Sequence, residues 1–227
     1  ILSDGSLPND MKEYLIDFEK NNFKVKELLK KKINYSLLNI DDVLLLPPLI
    51  NPSSFRDAYA FRKHVEAGRK NRGLEMIPEY DKFPVFYFSN HNSIVGPGDV
   101  LVQKSHLDKL DFEFEIAIVI SKKGKNIHYK NAYDYIAGIL IMNDWSARSM
   151  QMEEMKLNLG PAKGKDFATS IGPYLVTLDE IKDKIINEKG DFTFDLKMKG
   201  YLNDKLVSKD NVKNMTWSFS KIIERAS

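Results

Sequence analysis

Residues 110–120 read LDFEFEIAIVI, and this stretch is the strongest indication of the fold. Apolar side chains occupy every second position, which predicts one β-strand over the whole stretch. Glu113 and Glu115 share the other face, where Ala117 and Val119 follow. Two like charges on a face that becomes apolar within one residue are costly to bury unless a positive group joins them. A divalent cation would be such a group, and a solvent-exposed strand edge is the alternative.

Two further carboxylates lie on other segments. Asp144 closely follows the apolar run IAGILIM at 136–142, which we interpret as a buried strand, and Asp57 lies in a segment interpreted as a helix that ends near Gly73. Taken singly, Asp144 could cap the helix after it, and Asp57 could be a first-turn aspartate. Four carboxylates on three elements together favour a metal site. Oxygen ligands of this kind suit Mg²⁺, Ca²⁺ or Mn²⁺.

Composition narrows the class of protein. The 227 residues suit one sizeable domain or a main domain with a small lobe, and the net charge of +2 does not suggest a nucleic-acid partner. Cysteine is absent, which excludes disulfides. No apolar run approaches the roughly 20 residues of a membrane span, and no secretory pattern opens the chain, so we expect a cytoplasmic protein without a membrane partner. The chain begins with Ile and stops inside a predicted helix, so we expect the protein to continue.

Strands outnumber helices in the remaining pattern. Residues 1–35 are polar and helical in spacing. The other predicted strands are 43–46, 83–88, 174–177, and 192–198 paired with 202–208. Their irregular order predicts an α+β fold built on mixed sheets.

Three polar side chains are candidates for chemistry. His64 follows Asp57 by seven residues, a spacing that returns to nearly the same face of a helix. His64 could be a general base, or a surface histidine among charged neighbours. Arg148 and Gln151 are three apart on the helix predicted after Asp144, so they share a face. They could donate to an oxyanion, or they could be ordinary exposed polar residues.

Four stretches resemble the fumarylacetoacetate hydrolase family, in that family's order. They are RDAYAFRKH at 56–64, LDFEFE at 110–115, MNDWSAR at 142–148 and LGPAKGK at 159–165. The resemblance implies a mixed β-roll that is strand-rich with few helices, usually a homodimer. It also implies a small N-terminal lobe over 1–45 and a catalytic domain over 46–227.

The resemblance also implies roles for matching residues. His64 would be the base that activates water. The implied metal ligands are Asp57, Glu113, Glu115 and Asp144, with a second cation position at Lys165 and Thr169. The implied oxyanion-stabilising residues are Arg148, Gln151 and Lys165, and the substrate contacts are Tyr59, Tyr87 and Gln151.

The implied activity is metal-dependent hydrolysis of a carbon–carbon bond in a 1,3-diketo acid, of the fumarylacetoacetate or acylpyruvate type. Such a small keto-acid substrate is typical of aromatic amino-acid catabolism. Two alternatives stay open: an isomerase, hydratase or decarboxylase on the same metal site, and an inactive metal-binding relative. The chain departs from the fumarylacetoacetate-cleaving members at Met155, where they carry a tyrosine, and at the tripeptide FSN of 88–90.

Overall fold

The computed structural model describes residues 5–31 and 38–227. Within these residues the α-helices are α1 (Met11–Ile16), α2 (Phe18–Lys30), α3 (Arg62–Lys70), α4 (Arg148–Glu154) and α5 (Phe219–Ala226). The strands there are β1 (Arg56–Ala58), β2 (Phe86–Phe88), β3 (Ile94–Val95), β4 (Leu110–Asp111), β5 (Phe114–Ile120), β6 (Ile136–Asp144), β7 (Ser146–Ala147), β8 (Thr169–Ile171), β9 (Val176–Thr177), β10 (Ile185–Glu188), β11 (Asp191–Phe194), β12 (Lys197–Leu202) and β13 (Lys205–Asn211). The predicted strand-rich α+β fold is confirmed.

The chain forms two compact units, each assembled from three separate segments. The first unit comprises residues 1–53, 90–122 and 137–175. The second unit comprises residues 54–89, 123–136 and 176–227. The separate N-terminal lobe over 1–45 stays a prediction.

A sheet in the first unit carries the candidate site. Four of its strands lie in the order β3-β8-β6-β5, with β3 parallel and β6 antiparallel to β8. Strand β6 is almost wholly buried, as its apolar run predicts, and continues to Asp144. The register places Asp144 opposite Thr169 and Met142 opposite Ile171. The sheet therefore brings Asp144 and Thr169 together from residues 25 apart in the chain.

The predicted single strand over 110–120 is interrupted, so that prediction is wrong in part. β4 ends at Asp111, whose Oδ1 accepts a hydrogen bond of 2.9 Å from the N–H of Phe112. The N–H of Glu113 donates to Asn143 Oδ1 at 3.2 Å, and the Glu113 carbonyl accepts from the N–H of Asp144 at 3.0 Å. Side-chain acceptors thus replace regular strand pairing at this point.

The N-terminal segment is helical, as predicted, across the residues that the structure describes there. Asp10 caps α1 by accepting from two backbone N–H groups. The strand predicted over 43–46 is wrong, because a 3₁₀ turn at Ile40–Asp42 leads into irregular chain. Leu44 and Leu46 are mostly exposed there, so this apolar run is not part of a core.

The second unit begins with a short antiparallel pair. β1 pairs with β2, with Asp57 opposite Tyr87, and only at Arg62 does α3 begin. The helix interpretation of the segment around Asp57 is therefore wrong, because its backbone is used in strand pairing. His64 is in α3 and Asp57 is not, so the helical-face argument that linked them fails.

Two hairpins and α5 make up much of the rest of the second unit. β11 pairs with β10, and β12 pairs with β13 across a turn in which Asn203 and Asp204 have positive φ. The predicted pairing of 192–198 with 202–208 is thus wrong, because the first strand stops at Phe194 and pairs with β10, and a new strand, β12, forms the hairpin with β13. Phe192 and Phe194 are fully buried and form the centre of this core. In the part of the chain that the structure describes, every helix is too short or too polar to cross a membrane.

Candidate metal centre

Asp144 is the most deeply buried carboxylate of the candidate site. Its exposed fraction is 0 %, and its Oδ1 accepts a hydrogen bond of 3.3 Å from Thr169 Oγ1. The residue at the N-cap of α4 is Ala147, which has no capping side chain. Asp144 is therefore not a helix cap, and the alternative explanation for its presence is removed.

Glu115 on β5 supplies a second carboxylate. One of its oxygens lies within 4.8 Å of an Asp144 carboxylate oxygen, a spacing that one metal ion could bridge. Asp144 is fully buried and Glu115 is half-buried, so two ionised carboxylates at this distance repel each other unless a positive charge is close by. The two side chains offer a divalent ion a pair of oxygen ligands.

Lys165 lies against the same carboxylates. Its side chain is 3 % exposed, and its Nζ lies 2.5 Å from Glu113 Oε2 and 2.9 Å from Asp144 Oδ2. Burial alone would lower the pKa of Lys165, but attraction to Asp144 and Glu113 outweighs it and raises that pKa. Burial alone would raise the pKa of Glu113, and attraction to Lys165 and Arg148 instead lowers it to about 2. Both groups are therefore charged at neutral pH.

Arg148 connects three acceptors from the first turn of α4. Its Nε donates to Asp111 Oδ2 at 2.8 Å, and its Nη1 donates to Glu113 Oε1 at 2.6 Å and Gln151 Oε1 at 3.0 Å. Burial would lower the pKa of Arg148, but the attraction of Glu113 and Asp111 raises it. The guanidinium thus orients Gln151 as well as neutralising Glu113.

Carboxylate oxygens are concentrated in this cluster. Arg148 pairs with Asp111 and Glu113, and Lys165 pairs with Glu113 and Asp144. Glu115 adds a further carboxylate close to Asp144. Hard carboxylate oxygens of this kind are the ligands that divalent cations such as Mg²⁺, Ca²⁺ and Mn²⁺ prefer.

The remaining predicted site residues lie in the second unit. Asp57 is buried on β1 and accepts a hydrogen bond of 3.0 Å from Tyr87 Oη. His64 is exposed on α3, and its ring packs edge-on against that of Tyr59 with centroids 6.2 Å apart. These contacts group the four residues in two pairs. Their roles in metal binding, water activation and substrate contact stay predictions.

Sequence reasoning assigned no role to Asp111, although it is part of the cluster. The contact between Asp111 and Arg148 joins residues 37 apart in the chain. Pairing of β4 with β7 brings them together, since Asp111 lies opposite Ser146. The alternation of 110–120 puts Asp111 on the face of Glu113 and Glu115, so the signal for its place was present, but spacing along one strand could not identify Arg148 on another element as its partner.

Comparisons with known proteins agree on the family. The model of the C-terminal domain of fumarylacetoacetate hydrolase matches residues 53–227. Fumarylacetoacetase of Arabidopsis thaliana is 29 % identical over 86 % of this chain and 54 % of its own length. The mitochondrial oxaloacetate tautomerase of Xenopus laevis is 30 % identical over 99 % of this chain and 65 % of its own length. The chain thus spans between about half and two thirds of the length of these two relatives.

Solved structures show the same fold. A probable 2-hydroxyhepta-2,4-diene-1,7-dioate isomerase from Mycobacterium abscessus superposes with a TM-score of 0.66 at 24 % identity, over 96 % of this chain and 70 % of that one. The maleylpyruvate hydrolase of a Sphingobium species, solved with manganese(II) and pyruvate, superposes with a TM-score of 0.68 at 19 % identity. The match covers 96 % of this chain and 69 % of that one. Because the family model matches more than half of the residues, this chain belongs to the fumarylacetoacetate hydrolase family.

Proposed function

We propose that the protein is a metal-dependent enzyme that hydrolyses a carbon–carbon bond in a 1,3-diketo acid of the fumarylacetoacetate or acylpyruvate type. The observation that carries the proposal is the pair of half-buried Glu115 and fully buried Asp144, with carboxylate oxygens within 4.8 Å of each other. The closeness of these carboxylate oxygens supports a divalent ion, Mg²⁺, Ca²⁺ or Mn²⁺. The manganese in the maleylpyruvate hydrolase structure is consistent with such a site.

The proposed ligands are Glu115 and Asp144, joined by Asp57 and Glu113 as the resemblance implies. A bound divalent ion would supply Lewis-acid polarisation of the substrate's keto oxygens. Lys165 and Thr169 are proposed to mark a second cation position, as the resemblance implies, and both side chains contact Asp144.

The chain's own residues would carry the proton and charge transfers. His64 takes a proton from water, whose oxygen attacks the carbonyl carbon. Arg148, Gln151 and Lys165 donate hydrogen bonds or positive charge to the developing oxyanion. The carbon–carbon bond then breaks, its electron pair passes to the departing carbon, and that carbon takes up the proton held by His64. Tyr59 and Tyr87 would contact the bound keto acid.

Metal binding and turnover together test this proposal. We expect Asp144→Ala to abolish Mn²⁺ binding in a calorimetric titration, because it removes a fully buried ligand. Hydrolysis of acylpyruvates by the untreated protein should stop after chelation and return when a divalent ion is added. Full hydrolysis after chelation, without added metal, would refute the scheme.

An isomerase, hydratase or decarboxylase on the same site is the second candidate. Met155 at the position of a family tyrosine favours it, as do the isomerase names of solved relatives of the same fold. A panel of acylpyruvates and 2-hydroxy-dienoates separates the two reactions. Cleavage products from the first set support the hydrolase, and rearranged or decarboxylated products from the second set support the alternative.

A third candidate is a metal-binding relative without activity. His64→Ala separates this candidate from both enzymes, because turnover should collapse with Mn²⁺ affinity retained if His64 is the general base. We further propose a cytoplasmic homodimer, which sedimentation of the full chain and fractionation of its cells would test.

A further inference from the structure

We propose that Glu154 is a positioning residue that holds the segment before Lys165 in place, so that the Lys165 ammonium stays between Glu113 and Asp144. The inference rests on the role given to Lys165 in the proposed function. It adds a residue that contacts neither the substrate nor the ion and acts through the backbone alone.

The carboxylate of Glu154 binds two consecutive backbone N–H groups. Its Oε1 accepts from the N–H of Lys163 and its Oε2 from the N–H of Gly164, both at 2.9 Å. Each oxygen therefore has its own donor, an arrangement that an ionised carboxylate satisfies and a neutral amide cannot. Hydrogen bonds to a charged acceptor are about twice as strong as neutral ones.

Gly164 packs directly against the backbone of α4. A Cβ atom added there would lie 2.7 Å from the Cα and N atoms of Gln151, a distance that real Cβ atoms essentially never show. The 3₁₀ turn of residues 162–164 is closed by a 3.0 Å hydrogen bond from the N–H of Lys165 to the Ala162 carbonyl. Glu154 and Gly164 thus join this turn to α4 at the residue immediately before Lys165.

The attachment of this turn to α4 determines which groups the flexible Lys165 side chain can reach. Fixing a lysine in one rotamer costs up to about 2 kcal/mol of entropy, so the backbone below it must be held firmly. Lys165 reaches two carboxylates while being 3 % exposed. Gln151 lies on α4, one turn before Glu154, so the same helix holds both the oxyanion-binding amide and the Lys165 turn.

Glu154→Gln is the first variant, with Glu153→Gln as the matched control. Glu153 is an exposed residue of the same helix, and the structure gives its carboxylate no hydrogen bond among the described residues. Both changes remove one negative charge from α4. Only Glu154→Gln turns an amide N–H₂ group towards a backbone N–H that needs an acceptor.

Chemical acylation of lysines, followed by peptide mass spectrometry, reports the position of Lys165 without any turnover. Lys165 is the only buried lysine among residues 5–31 and 38–227, so it should react slowly in the unchanged protein. Loss of one charge-assisted hydrogen bond costs about 1.4 kcal/mol. This corresponds to a roughly tenfold larger population of molecules in which the turn has moved and Lys165 is exposed. We expect acylation of Lys165 to accelerate about tenfold in Glu154→Gln and to stay unchanged in Glu153→Gln.

Gly164→Ala gives a second, independent perturbation of the same turn. Its Cβ forces the turn away from Gln151, so it should raise Lys165 acylation as Glu154→Gln does. Mn²⁺ stoichiometry and amide exchange of β6 are measured on each variant. If they are unchanged while Lys165 is exposed, the effect is local and not a general loss of folding.

The kinetic readout is a split between kcat and KM. If Lys165 stabilises the transition state, Glu154→Gln should lower kcat about tenfold with KM nearly unchanged. Lys165 protected as in the unchanged protein, in both Glu154→Gln and Gly164→Ala, would overturn the positioning role. Absence of hydrolysis in the unchanged protein would instead count against the proposed function, while faster acylation would still support the positioning role.

Discussion

Replacing Lys165 by Met should destabilise the metal-free protein strongly. The change keeps the length of the side chain and removes a charge that is 2.5 Å from Glu113 and 2.9 Å from Asp144. Removing one partner of a buried ion pair typically costs 3–5 kcal/mol, because the remaining charge is left uncompensated. Arg148 still neutralises part of Glu113, so we expect the lower end, about 3 kcal/mol.

The assay is urea unfolding in the presence of a chelator, with Lys163→Met as the control. The Lys163 side chain is 68 % exposed and pairs with Asp166 near the surface, so its loss should cost at most about 1 kcal/mol. Titration with Mn²⁺ follows. Because Lys165 puts a positive charge beside Asp144, its removal should tighten Mn²⁺ binding.

Equal unfolding free energies of the Lys165→Met and Lys163→Met proteins in chelator would refute this reasoning. That result would mean that removing the Lys165 charge leaves Glu113 and Asp144 without a measurable loss of electrostatic stabilisation. Weaker Mn²⁺ binding by Lys165→Met would show that the lysine organises the ligands more than it competes with the ion.

Three further predictions follow from neighbouring contacts. Because the folded-state pKa of Glu113 is about 2, below its ordinary 4.5, its stabilisation is complete above pH 4.5 and lost as the pH falls towards 2. In chelator, the unfolding free energy should therefore fall by about 3 kcal/mol more across that range than in Glu113→Gln, and parallel curves would contradict this. Asp111→Asn should weaken Mn²⁺ binding a few-fold at low salt and less at high salt, since it removes one half-exposed charge of the cluster. Phe192→Ala should cost about 3–5 kcal/mol in urea unfolding, because the fully buried ring contacts Phe194 and Tyr133.

One alternating pattern and one continuous apolar run were enough to predict strands β5 and β6 of the first unit's sheet. The apolar run at 136–142 is strand β6, and the strand pattern that contains Glu115 is β5. The cost of burying like charges on that pattern led to a predicted metal site of Asp57, Glu113, Glu115 and Asp144, which stays a prediction, although Glu115 and Asp144 lie close together. These features depend on local periodicity and on the cost of burying charge, which a sequence shows directly.

The interruption at Glu113 could not be predicted, because its cause is distant. The acceptor for the Glu113 N–H is the side chain of Asn143, thirty residues further along the chain. Spacing likewise gave Lys165 no partner, although its Nζ pairs with both Glu113 and Asp144. Contacts between elements decide both features, and local patterns do not encode them.

Asp57 illustrates a different failure. Its neighbours contain enough polar and helix-favouring residues to suggest a helix, but β1 is held by pairing with β2 thirty residues away. Short strands of three residues have too little pattern to compete with a helical interpretation. Resemblance to a family assigned Asp57 a role that its local sequence alone did not support.

Each compact unit consists of three stretches, and the stretches of the two units alternate along the polypeptide. No single continuous fragment therefore consists of one complete unit alone. Truncations designed to separate them will remove pieces of both at once, and a chimaera that exchanges one unit with a relative needs several simultaneous crossovers. For the same reason, synthesis must reach the segment that ends at residue 175 before the first unit can be completed, and the segment 176–227 before the second can.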